Sequence, residues 1–264
     1  MADAKQQVHI VLVHGACHGA WCWYKLKPLL EAAGHRVTAF DLAASGIDKR
    51  TLEELRSFED YSQPLLDFMA SLPPEEKVVL VGHSLGGMNI ALAMERYPEK
   101  IKVAVFLTAV MPDCKHDPSY VLNQSVETKP ADDWLDAEFK PFGPPEENLT
   151  SAFFGPKYTA SKLYNHCSPE DVALGIMLAR PCCMFINDLA KKSPFSEERY
   201  GSVKRVFIVC PEDQAIPLKF QRWQIENYPP DQVKEIENSD HMPMLSKPRE
   251  LCQCLLEIIA DYYA

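Results

Sequence analysis

No stretch of the 264-residue sequence is apolar for long enough to cross a membrane. The longest apolar runs are strand-sized, far short of the ~18 residues that a span needs. Positive charge is scarce: 27 Lys and Arg stand against 37 Asp and Glu, for a net charge of −10. Such a surface repels phosphate, which argues against nucleic acid and anionic membranes as partners. None of the nine cysteines forms Cys-x-x-Cys; Cys182-Cys183 are adjacent and Cys252 and Cys254 are two apart, neither a zinc nor a redox spacing. An odd number of thiols without a pattern reads as free, mostly buried cysteines of a reducing compartment. Residues 1–7 are mostly polar and run straight into an apolar strand, with no secretory apolar region or cleavage pattern, so a cytoplasmic location is expected. Repeats and low-complexity tracts are absent as well.

What is present is a rhythm. Residues 8–13 are a short apolar run stopped by His14-Gly15, a strand that ends in a turn. Residues 24–33 place Leu26, Leu29, Leu30 and Ala33 on one helical face, closed by Gly34, with Pro28 marking the first turn or a kink. A strand over 36–40, a helix over 57–71, a strand over 77–81, a helix over 85–97 and a strand over 101–107 follow. The nearly continuous β-branched run at 77–81 marks a strand buried on both faces. Strands alternating with helices in this way predict an α/β fold with a mostly parallel sheet flanked by helices.

From Met111 the rhythm breaks. Residues 111–195 are rich in proline and aromatics, with short helical patches, of which 169–179 is the clearest, and few strand-like runs. The alternation resumes with a strand over 203–209, a helix over 218–227, a strand over 232–236 and a last helix over 247–262. The expected organisation is a core in two segments, 1–110 and 196–264, around a mainly helical cap at 111–195.

Gly82-His83-Ser84-Leu85-Gly86 matches G-x-S-x-G and lies between a predicted strand and a predicted helix. The turn that lifts a serine off a strand end crowds its neighbours, so the flanking positions must lack Cβ atoms. The helix N-terminus that follows offers N–H groups where negative charge develops. A serine hydroxyl is a weak nucleophile and needs a base held by a third group. His116, His166 and His241 follow Ser84, and the first two fall at or inside the break in rhythm. His241 lies in Asn238-Ser239-Asp240-His241-Met242, a polar loop between the last strand and last helix, and is the candidate base. The acid should close the preceding strand, where Glu212 and Asp213 compete and Asp213 is favoured; Asp113 is the alternative. Asp240 reads as a turn residue. Two N–H donors are required for an oxyanion: Leu85 supplies one, and Ala16, in His14-Gly15-Ala16-Cys17-His18-Gly19, the other. His14 and His18 do not read as metal ligands, since they lie in a loop without a carboxylate.

Several stretches together resemble the plant methyl esterase family of α/β-hydrolases. They are Leu12-Val13-His14-Gly15-Ala16-Cys17-His18-Gly19-Ala20-Trp21, Tyr24-Lys25-Leu26-Lys27-Pro28-Leu29-Leu30, Asp41-Leu42-Ala43-Ala44-Ser45-Gly46, Val81-Gly82-His83-Ser84-Leu85-Gly86-Gly87, Tyr200-Gly201-Ser202-Val203-Lys204-Arg205-Val206 and Asp240-His241-Met242. The resemblance covers nearly the whole chain. It implies an α/β-hydrolase with a helical cap, a Ser84–Asp213–His241 triad and oxyanion donors Ala16 and Leu85. It also implies a homodimer that needs no cofactor or metal and hydrolyses a small apolar methyl ester of a plant hormone or specialised metabolite.

The family's hydroxynitrile lyase offshoot places a lysine after the catalytic histidine, a glutamate before the serine and a threonine after the first-strand histidine. Met242, His83 and Gly15 stand there in this chain and are expected to line the substrate pocket; no ammonium is ready for cyanide, and Gly15 is expected to leave room beside the oxyanion hole. Salicylate-binding members line the acyl pocket with Phe, Tyr, Met and Leu where this chain has Val110, Ser125, Ala152 and Met184, while Trp134 is kept. A roomier pocket is expected, suited to methyl jasmonate, methyl indole-acetate or methyl salicylate. A lyase, or a small-acid receptor built on the hydrolase fold, is the alternative reading.

Overall fold

Six strands pair in parallel in the computed structural model, which describes residues 7–263. They are β1 (His9–Val13), β2 (Arg36–Ala39), β3 (Val78–His83), β4 (Ile101–Leu107), β8 (Arg205–Val209) and β9 (Gln232–Glu235), in the order β2-β1-β3-β4-β8-β9. Every residue of β1, β3 and β8 is buried, as strands covered on both faces must be. Side chains alternate across the sheet, so Leu80 joins Val11, Phe106 and Phe207 on one face, against Phe58 and Leu65 of α2 (Phe58–Ser71) and Met88 of α3 (Gly86–Arg96). Val79 and Val81 join Ile10 and Leu12 on the other face, against Leu26 and Leu30 of α1 (Leu26–Ala32) and Leu255 and Ile258 of the last helix, Pro248–Tyr263. Pro28 sits in the first turn of α1, where its missing N–H costs nothing.

The register decides where chemistry can happen. Val13 pairs with Gly82, His83 with Leu107, and Leu107 with Ile208, so these strands end level with one another. The loops after β1, β3, β4 and β8 therefore leave from one carboxyl edge, where open α/β sheets hold their ligands.

Between β4 and β8 lie α4 (Tyr120–Glu127), the helix Pro169–Leu178 and a feature without a sequence signal. This is a three-stranded antiparallel sheet of β5 (Glu138–Phe142), β6 (Leu149–Phe153) and β7 (Cys182–Cys183), in the order β5-β6-β7. Strand β5 is mostly exposed and carries Pro141, a residue that only an edge strand tolerates, and β7 has two residues. Neither shows the apolar alternation by which a strand is recognised. Among the described residues, no helix is long and apolar enough to cross a membrane.

Candidate active site

Ser84 stands between β3 and α3 with φ at +54°, a left-handed conformation that costs a non-glycine residue about 1–2 kcal/mol. The surroundings hold it there. Its carbonyl accepts the N–H groups of Gly87 at 3.0 Å and Val110 at 2.9 Å. A Cβ on Gly82 would stand 2.6 Å from the Gly86 carbonyl oxygen, and one on Gly86 would stand 2.7 Å from the carbonyl oxygens of Val13 and His14. The chain can fold back over itself at this turn only without those two side chains.

Asp213 and His241 come from the loops after β8 and β9 and meet at the same edge. The His241 Nδ1–H donates to Asp213 Oδ2 at 2.7 Å, and both side chains are buried. Thr108, directly after β4, donates its hydroxyl to the same Oδ2 at 2.5 Å. The other oxygen, Oδ1, accepts the N–H groups of Ala215 at 2.7 Å and Ile216 at 2.8 Å. Four donors thus surround one buried carboxylate, the arrangement that makes such a charge tolerable.

The competing acids are engaged elsewhere. Asp113 accepts from Lys115, His116 and Asn227, and Glu212 is exposed. Asp240 holds the turn beneath His241 by accepting from the Met242 N–H at 3.0 Å and the Ser246 hydroxyl at 2.6 Å.

The loop after β1 is built around two neutral histidines. His14 donates Nδ1–H to the Gly15 carbonyl at 2.8 Å and accepts the Leu42 N–H at Nε2, 3.0 Å away. His18 donates Nδ1–H to the Ala16 carbonyl at 2.7 Å and accepts the Tyr164 hydroxyl at Nε2, also at 2.7 Å. Burial pushes the pKa of His18 down to about 4, and that of His14 is lowered for the same reason. These bonds orient the peptides on either side of Ala16. Among the described residues, the N–H groups of Ala16 and Leu85 donate to no backbone or side-chain acceptor, as two oxyanion donors require.

His83, singled out in the sequence as a pocket residue, faces the protein instead. Its Nε2–H donates to the His241 carbonyl at 2.7 Å, and its ring lies 4.7 Å from that of His241. Nδ1 is buried with no partner among the described residues. Burial, reinforced by His241 and His18, holds its pKa well below the usual histidine range, so the ring is a neutral brace under the base.

The remaining pocket residues divide. Trp134, Ala152 and Met184 line a cavity of about 420 Å³ together with Phe139, Leu149 and Phe185. Its wall reaches the loop after β1, where Cys17 Sγ–H donates to the Ala152 carbonyl at 3.4 Å. Ser125 belongs to a different cavity of about 270 Å³, which shares no lining residue with the first. Val110 is buried and braces the turn at Ser84 through its N–H. Met242 is fully buried in the core. At Gly15 there is little space: a Cβ there would lie 2.7 Å from Ser84 Cβ and 3.2 Å from His83 Nδ1.

Two sets of supporting residues escaped the sequence reading. One is Thr108, a threonine at a strand end like many others. The other is Tyr164–Cys167, far away in sequence, which touches all three functional loops. Tyr164 holds His18, Asn165 Nδ2–H donates to the Glu212 carbonyl at 3.1 Å, and the His166 N–H donates to Asp240 Oδ2 at 2.9 Å. Nothing in the local sequence of either announces these contacts.

Comparison with known proteins gives the family and the fold. Residues 10–253 match the model of the alpha/beta hydrolase family. Salicylic acid-binding protein 2 of Nicotiana tabacum is 61% identical over 258 residues, covering 98% of this chain and 99% of that protein. Methylesterase 1 of Arabidopsis thaliana is 56% identical over 259 residues, covering 98% of each. A crystal structure of polyneuridine aldehyde esterase superposes with a TM-score of 0.94 at 56% identity, covering 96% of this chain and 99% of that one.

Proposed function

The chain belongs to the alpha/beta hydrolase family as a carboxylic ester hydrolase, and we propose that Ser84, His241 and Asp213 perform the hydrolysis of a small apolar methyl ester. Ser84 Oγ attacks the ester carbonyl while His241 Nε2 takes its proton. The N–H groups of Ala16 and Leu85 hold the developing oxyanion. Asp213 keeps the imidazole proton on Nδ1, which leaves Nε2 free to act as base. Methanol departs with the proton from His241, and a water activated by the same ring then releases the carboxylate and restores Ser84. No metal or cofactor enters this scheme.

The observation that carries the reading is the buried Asp213–His241 pair, 2.7 Å apart, on the same sheet edge as the strained Ser84. The cavity of about 420 Å³ is lined by none of Ser84, Asp213, His241, Ala16 or Leu85, but it adjoins their loop through the Cys17–Ala152 contact, and its aromatic and aliphatic lining suits an apolar acyl group of modest size. The relatives' names, which speak of salicylic acid binding and of methyl ester cleavage, support a methylated plant hormone or specialised metabolite as substrate. The same reading assigns residues 111–195 to a cap over the site. It also takes the protein as a cytoplasmic homodimer, supported by the resemblance and by nine unpaired cysteines, and size-exclusion chromatography with light scattering tests the dimer.

Hydrolysis of p-nitrophenyl acetate and methanol release from a panel of hormone methyl esters test the proposal. The wild type should complete many cycles per enzyme, and Ser84→Ala should lower kcat by about 10³-fold or more. Equal rates for the two proteins would refute the role of Ser84. A receptor would stop after one equivalent, and a lyase would release cyanide from mandelonitrile.

A further inference from the structure

Thr108 sits where the nucleophile and the acid are tied together. It follows β4 directly, is fully buried, and has φ at +36°, a conformation that is an outlier for a β-branched residue. Backbone bonds pin the segment on both sides. The Thr108 N–H donates to the Ile208 carbonyl at 2.9 Å, which fixes it to β8, the strand that leads to Asp213. The Leu107 carbonyl accepts the Ser84 N–H at 3.4 Å, and the Val110 N–H donates to the Ser84 carbonyl at 2.9 Å. Behind the segment, α3 packs so closely that a Cβ on Gly87 would stand 2.8 Å from Ala109 Cβ. Backbone strain of this kind persists only where the surroundings over-determine it, and it points to a task for the side chain.

The Thr108 hydroxyl, 2.5 Å from Asp213 Oδ2, donates to the same oxygen that accepts the His241 Nδ1–H at 2.7 Å. The backbone N–H groups of Ala215 and Ile216 hold only Oδ1. The hydroxyl is thus the second anchor of the carboxylate, at the end that meets the base. We propose that Thr108 is a positioning residue of the reaction: its hydroxyl fixes the plane of Asp213 and draws charge from Oδ2, and so sets how readily His241 takes and returns the Ser84 proton. This role rests on the esterase reading of the site. A second donor on Oδ2 weakens the negative charge that the imidazolium feels. Without that donor the whole charge of Oδ2 faces the ring, and His241 keeps its proton up to higher pH. The other titratable groups around the pair are untouched by a change at Thr108. His83 faces His241 from β3, His18 acts on it from the loop after β1, and Asp240 precedes it in the chain. Lys129 and Tyr158 act on Asp213 from the segment between β4 and β8, and Cys210 from the end of β8.

The test compares the full chain with Thr108→Val, which keeps the branched shape and loses the donor, and with Thr108→Ser, which keeps the donor. In Thr108→Val, kcat for p-nitrophenyl acetate should fall about fivefold or more, and the acid limb of kcat/KM should move to higher pH by about 0.5 or more. The far-downfield proton resonance of His241 Nδ1–H, assigned by its absence in His241→Ala, should move further downfield in Thr108→Val. Thr108→Ser should leave the limb and the resonance where the wild type has them. A role in packing alone would move neither, since valine fills the place of threonine. If Thr108→Val does not fold, Thr108→Ala against Thr108→Ser isolates the same hydroxyl. A folded variant without the hydroxyl that keeps the wild-type limb and resonance would overturn the proposal, as would a Thr108→Ser protein with the limb of Thr108→Val. Ser84→Ala, assayed beside them, decides the esterase reading separately, and the resonance tests the link from Thr108 through Asp213 to His241 whatever that result.

Discussion

Replacing Asp213 by asparagine changes one atom of the acid, and the structure dictates which way the new amide must face. Oδ1 accepts two backbone N–H groups, from Ala215 and Ile216, at 2.7 and 2.8 Å. If the new NH₂ group took that place, two buried donors would confront it without an acceptor, at about 1–3 kcal/mol each. The amide oxygen therefore stays at Oδ1 and the NH₂ group occupies the place of Oδ2. There it faces the Thr108 hydroxyl, which can rotate to accept, and His241 Nδ1, which can accept only by giving up its proton. The imidazole proton moves to Nε2, on the side that must receive the proton of Ser84. The base is then occupied in advance. The equivalent change in a Ser-His-Asp triad costs about 10⁴ in kcat, or about 5.5 kcal/mol at 1.36 kcal/mol per tenfold. The assay is kcat for p-nitrophenyl acetate and for a methyl ester substrate, with circular dichroism melting as the control for folding. A folded Asp213→Asn protein within tenfold of wild-type kcat would refute the argument, as would a nitrogen-15 spectrum with the His241 proton still on Nδ1.

Gly15→Thr brings a Cβ to 2.7 Å from Ser84 Cβ, and a displacement of the nucleophile by a fraction of an ångström should lower esterase kcat at least about 10²-fold. Activity within twofold, measured on the same ester, would show that the turn yields. Acid stability depends on His18, whose folded pKa of about 4 lies below its unfolded value of 6.5. The unfolded chain takes up a proton there that the folded chain refuses, so this contribution is complete above pH 6.5 and is lost as the pH falls toward 4. Thermal melting from pH 7 to 4.5 should show a decline in Tm that is shallower, by about one bound proton, in His18→Asn; equal slopes would place the loss elsewhere.

How far such a site can be read from sequence depends on the range of the contacts that make it. The turn around Ser84 is local: its glycines lie two residues away on either side, and the crowding that demands them involves Gly86 and the end of β1. The strands were recognisable because burial on both faces forces continuous apolar runs, and 101–107 and 218–227 agree with the observed strand and helix at both ends. The loops carrying Asp213 and His241 could be located because each closes a periodic element. The β5-β6-β7 sheet could not, since its edge strand is exposed and interrupted by Pro141. Ser125 and Trp134 line separate cavities, with Lys129 of the first stacked on the Trp134 ring, a division that the intervening sequence does not announce.

From sequence alone came the order of the core elements, the candidate nucleophile and its candidate partners, since each is written in a few neighbouring residues whose steric needs are strict. The tertiary structure decided the rest. It brought His241, Thr108, Ala215 and Ile216 to the carboxylate of Asp213, while Asp113 is held by Lys115, His116 and Asn227. It turned His83 inward and made Tyr164–Cys167 a strap across three loops. A hydrogen bond forms between atoms about 3 Å apart, whatever their separation along the chain. Only the packed sheet, by aligning the ends of its strands, brings such distant groups within that reach.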